Sequence, residues 1–207
     1  MKKIVTILMT SLFLMSAANA GGMIGIKAGV GSLEGTRTSN TELSGSKSDS
    51  VDSEYGAIFA EVNLADNIAV GIELVPLEAV IDTKSTTTTD SQVTVEDLMT
   101  LYVLASKDTS FGSVYGKIGY SSADLTAVSN YGLALTNASD KAEGPMIGIG
   151  AQFEVPTPII NTIRLEATHT MFDELKISST DDDSGGTENR TGEADLTTFS
   201  ITLARSF

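Results

Sequence analysis

Apolar and polar residues alternate with a period of two through eight stretches of this chain. The last stretch, residues 196–207 (LTTFSITLARSF), shows it plainly: Phe199, Ile201, Leu203 and Phe207 hold one parity, and Thr198, Ser200, Thr202, Ala204 and Ser206 the other. Successive strand side chains point to opposite faces, so this stretch predicts a strand with one apolar face and one small, polar face. The same period marks residues 23–31, 54–64, 68–80, 113–121, 145–155 and 160–171. Residues 98–105 are apolar on both parities. The Met99 parity is expected to face outward there, because Thr100 and Tyr102 can hydrogen-bond inside.

The segments between these strands alternate in length. Short turns are expected at 65–67, 106–112 and 156–158. Long polar loops are expected at 32–53, 82–94, 122–143 and 173–195, with an apolar hairpin over 131–135 inside the third. Pro76, Pro145, Pro156 and Pro158 are expected at strand ends or turns, where a missing N–H does little harm. Eight strands with this rhythm predict an all-β fold, an antiparallel up-and-down barrel that spans a membrane with both chain ends on the short-turn side. A soluble lipocalin-like barrel would reverse the facing, with apolar residues inside. The polar parity decides between them: it is Gly, Thr and Ser with sparse mid-strand charges, not the Lys and Glu coat of a soluble surface. Eight strands enclose a lumen only wide enough for side chains, so small residues fit there. Trp is absent and the aromatic girdle is thin.

Residues 1–20 (MKKIVTILMTSLFLMSAANA) have a charged start, a short apolar middle and an Ala18-Asn19-Ala20 end. This is the pattern of a cleaved secretory signal peptide, and the apolar run is too short to span a bilayer. The expected domains are therefore a leader, 1–20, and one barrel domain, 21–207. Two of the 13 basic residues, Lys2 and Lys3, lie in the leader, against 27 acidic residues in the chain. So anionic a product argues against nucleic acid as a partner. There is no Cys, so no disulfide is called for in an oxidising compartment.

The polar parity sends Lys27, Glu61, Glu73, Lys117, Glu154, Arg164 and Glu166 into the lumen. Strands one to three contribute one group of these charges and strands five to seven another. A buried ion must be paired, and three cations among four carboxylates allow it. Arg164 and Lys117 are expected to neutralise Glu61, Glu73, Glu154 or Glu166, with Glu154, adjacent in the hairpin, the first candidate for Arg164. Two readings stay open: a structural plug, or a gated, narrow ion path. His169, the only histidine, sits on the outward parity with no Ser or Asp partner apparent for nucleophilic catalysis. Asp181-Asp182-Asp183-Ser184-Gly185-Gly186 offers carboxylates but lacks the ligand spacing of an EF-hand, and reads as solvated loop charge. Asn189-Arg190-Thr191 matches a glycosylation sequon, which carries little meaning in a bacterial-type outer-membrane protein.

The leader, the eight alternating strands, the short–long rhythm and the terminal Phe207 together resemble the small outer-membrane β-barrels of the OmpA/OmpX-like superfamily. The resemblance covers 21–207. The Ala-Arg-Ser-Phe ending departs from the usual aromatic-x-Phe, since Arg205 stands two before the end. It implies Phe207 as the assembly signal, read by barrel-assembly machinery, and a lumenal salt-bridge network that blocks continuous water. It implies a Gram-negative outer membrane, contact with lipid and lipopolysaccharide, a monomer, no cofactor or metal, and no peptidoglycan-binding domain after Phe207. The expected role is non-enzymatic, membrane-structural or adhesin-like, with long polar loops free to meet an extracellular ligand. The alternatives are a small porin and, third, a lipid-modifying enzyme.

Overall fold

A computed structural model of the chain describes residues 21–39, 47–76, 79–86, 89–129, 141–180 and 187–207. The expected leader, the 131–135 hairpin and the 181–186 acidic run lie outside them. The strands are β1 (Gly22–Ser39), β2 (Lys47–Ala65), β3 (Ile68–Val75), β4 (Ala79–Thr86), β5 (Thr89–Thr109), β6 (Gly112–Ser129), β7 (Lys141–Glu154), β8 (Thr162–Thr180) and β9 (Thr187–Ser206). Every pairing is antiparallel, in the order β3-β2-β1-β9-β8-β7-β6-β5-β4, and pairing of β3 with β5 closes the barrel.

Nine segments make eight staves, because β3 and β4 both pair with β5 and share one stave. Val75 lies opposite Leu98 and Ala79 opposite Val95. The sequence pattern runs this strand unbroken over 68–80. The interruption falls at Pro76, which has no N–H to give the ladder. Across from it Asp97 adopts a φ of 52°, and the β5–β6 register shifts between Glu96 and Met99. Beyond Ile58, β2 pairs with β1 but with no described residue of β4, so closure rests on the β2–β3 and β3–β5 ladders.

The strands run well past the expected bounds. The described residues of the segments read as loops, 32–39, 47–53, 82–86, 89–94, 122–129, 141–143, 173–180 and 187–195, are strand, and β5 alone has 21 residues. About 9–11 residues cross a bilayer, so these strands are long enough to continue beyond it. A hairpin arm with water on both faces keeps its backbone ladder while losing the apolar–polar period. The period therefore marks only the spanning part. The Asn189-Arg190-Thr191 sequon falls within β9.

One face of the wall is apolar and exposed. Ile26, Ile58, Ile118, Ile149, Phe199 and Ile201 are between 41% and 70% exposed, while Lys27, Glu61, Lys117, Arg164 and Glu166 are buried. A water-soluble barrel would have these sets exchanged; apolar outside and charged inside is the arrangement of a barrel set in lipid. Ala60, Val62 and Ile72 share the outward parity and are buried. On β5, Leu101 and Val103 face out, and Thr100, Tyr102 and Leu104 face in, as expected from the hydrogen-bonding capacity of Thr100 and Tyr102. No helix among the described residues could cross a membrane. The short turns cluster at one end, where the start of β1 also meets the last residue: Gly22 N donates to Phe207 O (2.9 Å) and Phe207 N to Gly22 O (3.0 Å).

Candidate functional site: the lumenal charge network

The lumen is where the sequence concentrates its unusual chemistry. Lys27 on β1 donates to Glu73 Oε2 on β3 (2.6 Å) and to Glu166 Oε1 on β8 (2.5 Å). Lys117 on β6 donates to the same two oxygens, at 3.0 and 3.2 Å. Two ammonium groups and two carboxylates thus alternate in a ring whose members come from four staves.

Next to this ring, Arg164 on β8 grips Glu61 on β2 in a two-pronged pair. Nη1 donates to Oε1 at 2.6 Å and Nη2 to Oε2 at 2.7 Å, and Nε donates to Gln152 Oε1 at 2.8 Å. Such a planar fork is the strongest geometry an ion pair offers. Because β1 and β9 stand between β2 and β8 in the wall, this pair links staves that are not neighbours.

Two tyrosines join the groups. Tyr102 OH donates to Glu61 Oε1 (2.7 Å), and its ring lies 3.8 Å from Lys117 Nζ. Tyr115 OH donates to Glu166 Oε2 (3.0 Å), and its ring centroid lies 5.2 Å from the Arg164 guanidinium, with Phe59 5.6 Å from that group. Ring faces are favourable neighbours for cations. Three cations and three carboxylates therefore form one network of zero net charge, with aromatic rings filling the spaces between them.

The glycines of the polar parity now have a reason. Gly25 pairs across the ladder with Phe59, Gly29 with Tyr55, Gly71 with Tyr102, and Gly150 with Tyr115. Each large ring has a glycine as its cross-strand neighbour. A Cβ at Gly71 would stand 2.5 Å from Tyr102 Cζ, and one at Gly150 would overlap Tyr115 Cζ. The rings that hold Glu61 and Glu166 can lie flat along the wall only because those positions are bare. Further along the lumen, hydroxyls pair with one another: Thr100 with Ser121 at 2.8 Å, and Thr168 with Thr198 at 2.7 Å.

Six of the seven charges expected in the lumen thus meet there. Glu154 does not. It stands exposed at the end of β7, and its cross-strand neighbour is Thr162. The neighbour of Arg164 on β7 is Gln152, and its carboxylate partner is Glu61, not Glu154. The two expected groups of charges meet across the lumen: Lys27 with Glu166, Lys117 with Glu73 and Arg164 with Glu61 join one to the other, while Lys27 with Glu73 and Lys117 with Glu166 pair within a group. Partners across a narrow lumen are chosen by strand tilt and stagger, which sequence adjacency does not reveal. Tyr115 and Gln152 are members of the network that the sequence reading misses; their place on the polar parity of lumen-facing strands was the available signal.

Elsewhere, His169 Nδ1 lies 3.0 Å from Thr197 Oγ1, a cross-strand pair on the outer face. Among the described residues no group of His, Cys, Asp and Glu is arranged to hold a metal. Phe207 is half exposed at the short-turn end.

Comparison places this architecture among known ones. The chain matches the outer membrane protein beta-barrel domain family over residues 4–207. The outer membrane protein OprG from Pseudomonas aeruginosa superposes with a TM-score of 0.62 at 13% identity, over 90% of this chain and 96% of that one. The outer membrane protein AlkL, solved in lipid bilayers, gives a TM-score of 0.52 at 11% identity, over 91% and 92%. At these identities the likeness concerns fold alone. No curated protein matches the chain by sequence.

Proposed function

The chain belongs to the outer membrane protein β-barrel domain family, and from that premise we propose a non-enzymatic role, membrane-structural or adhesin-like, for a barrel whose lumen is sealed. The observation that carries this reading is the neutral network of Lys27, Lys117, Arg164, Glu61, Glu73 and Glu166, every member of which is ion-paired. A conducting pore needs an open aqueous path with charges free to face it. Here the charges face each other and aromatic rings occupy the space beside them. On this reading the leader directs export and is removed, Phe207 serves the assembly machinery, and the apolar wall meets lipid. The long strands then carry acidic loops beyond the headgroups, toward lipopolysaccharide and an extracellular partner.

A small porin is the competing reading. It draws on Glu73, whose side chain keeps 12% exposure, the most of any charged member of the network. A lipid-modifying enzyme has less in its favour, since His169 faces Thr197 on the outer wall and no Ser–His–Asp arrangement occurs among the described residues. A liposome-swelling assay separates the first two. Vesicles bearing the folded protein should admit small sugars and amino acids no faster than protein-free vesicles. Swelling that scales with protein content would favour the porin.

A further inference from the structure

Gly116 breaks the pattern of the lipid-facing wall. It lies inside β6, four residues from the strand's short-turn end, exposed, on the parity that carries Val114, Ile118 and Tyr120. Glycine weakens a strand interior, and there it usually marks a bulge, a sharp bend or the close approach of something else. The ladders on both sides of Gly116 run without a shift from Ser113 to Ser122, and its φ is not positive. Nor does a ring press on it: an added Cβ would meet nothing within 4 Å, in contrast to Gly71 and Gly150. What remains is a visitor from outside.

The surroundings describe that visitor. The row through Gly116 runs Ala105, Gly116, Ile149, Ala167, Phe199 from strand to strand. Its small members leave an apolar groove of about 800 Å³ bounded by Ile149, Leu165 and Phe199. One cation lines the groove, Lys107, directly below Ala105 on β5 and two residues from the short-turn end of that strand. Lys107 forms no salt bridge among the described residues, although the chain as a whole is strongly acidic. An apolar trough with a single unpaired ammonium at its interfacial mouth matches an amphiphile with an acyl chain and an anionic head.

We propose that the Gly116 groove seats an acyl chain of a glycerophospholipid from the leaflet on the short-turn side, with the lipid's anionic headgroup held on Lys107. Lipid retention tests this directly. The protein would be purified into micelles containing equal phosphatidylglycerol and phosphatidylcholine and examined by native mass spectrometry. The wild type should keep one phosphatidylglycerol in preference to phosphatidylcholine. Lys107→Gln should reduce that preference by roughly two- to fivefold, the effect of one exposed charge contact, while lipid of either kind is still retained. Gly116→Leu fills the trough with a side chain the fold has room for, and should cut retention of both lipids by about tenfold, as lost apolar contact requires. Ile58→Leu, on the outer face of β2 with β1 and β3 between it and the groove, should leave retention unchanged. Retention indifferent to Gly116→Leu would overturn the proposal. So would a wild-type dimer that Gly116→Leu dissociates, since the groove would then hold a second copy of the chain. A conducting barrel would leave this test unaffected, so the two readings fail separately.

Discussion

Arg164→Ala should lower the stability of the folded barrel by about 3–5 kcal/mol, because it strands the buried Glu61 carboxylate without its partner. The loss reaches more than one group: both Glu61 oxygens lose a charged donor, and Gln152 loses its bond to Nε. Tyr102 alone would remain to satisfy Glu61. Urea titration in lipid vesicles, followed by the gel-mobility shift on heating, measures the loss. The double change Arg164→Ala with Glu61→Gln should recover much of it, since a neutral amide still accepts from Tyr102 and leaves no naked charge. If the single and double variants were equally unstable, the cost would lie in lost packing and not in the pair. Wild-type stability for the single variant would mean that the pair is not buried.

The second large effect concerns two adjacent residues on β9. Ile201 is half exposed on the apolar face, and Thr202 is 1% exposed in the lumen. Ile201→Arg should cost about 2–4 kcal/mol if the site is near the bilayer midplane, by placing a charge in hydrocarbon. Ile149→Arg and Leu165→Arg should behave alike. Thr202→Arg should fail for a different reason: a long side chain has no room beside Lys27 and Arg164, its cross-strand neighbours on β1 and β8. The two causes separate in short-chain lipids. A thinner bilayer lets the guanidinium introduced by Ile201→Arg reach the headgroups and should relieve that variant, while Thr202→Arg stays defective. Equal tolerance of the two substitutions would contradict the facing of every strand paired with β9.

Facing and strand count were legible because a membrane barrel writes them at a period of two. Ile147, Ile149 and Ala151 against Gly148, Gly150 and Gln152 needs no tertiary information to interpret. Strand ends were not legible, because above the bilayer that period fades while backbone pairing persists, as in 173–180 of β8 and 187–195 of β9. The Pro76 break is written in the sequence as a proline within an alternating run, and the strength of the pattern on either side overrides it there. Charge partners were the least legible. Lys27, Glu73, Lys117 and Glu166 could each be assigned to the lumen from parity, yet which oxygen meets which nitrogen depends on barrel stagger. Arg164 shows the consequence. Sequence adjacency favoured Glu154, and the fold put Glu61 opposite it. The Gly71–Tyr102 and Gly150–Tyr115 pairs join segments whose registers were equally unavailable.

If a neutral, mutually bonded set of side chains closes this barrel, the folded protein should not conduct. Single-channel recording in planar bilayers, on wild-type protein beside Arg164→Ala, measures this most directly. The wild type should give a baseline indistinguishable from the bare membrane across the working voltage range, and Arg164→Ala should add cation-preferring leak events as the freed Glu61 draws water. Discrete, reproducible openings from the wild type itself would contradict closure by the network and make the lumen a channel.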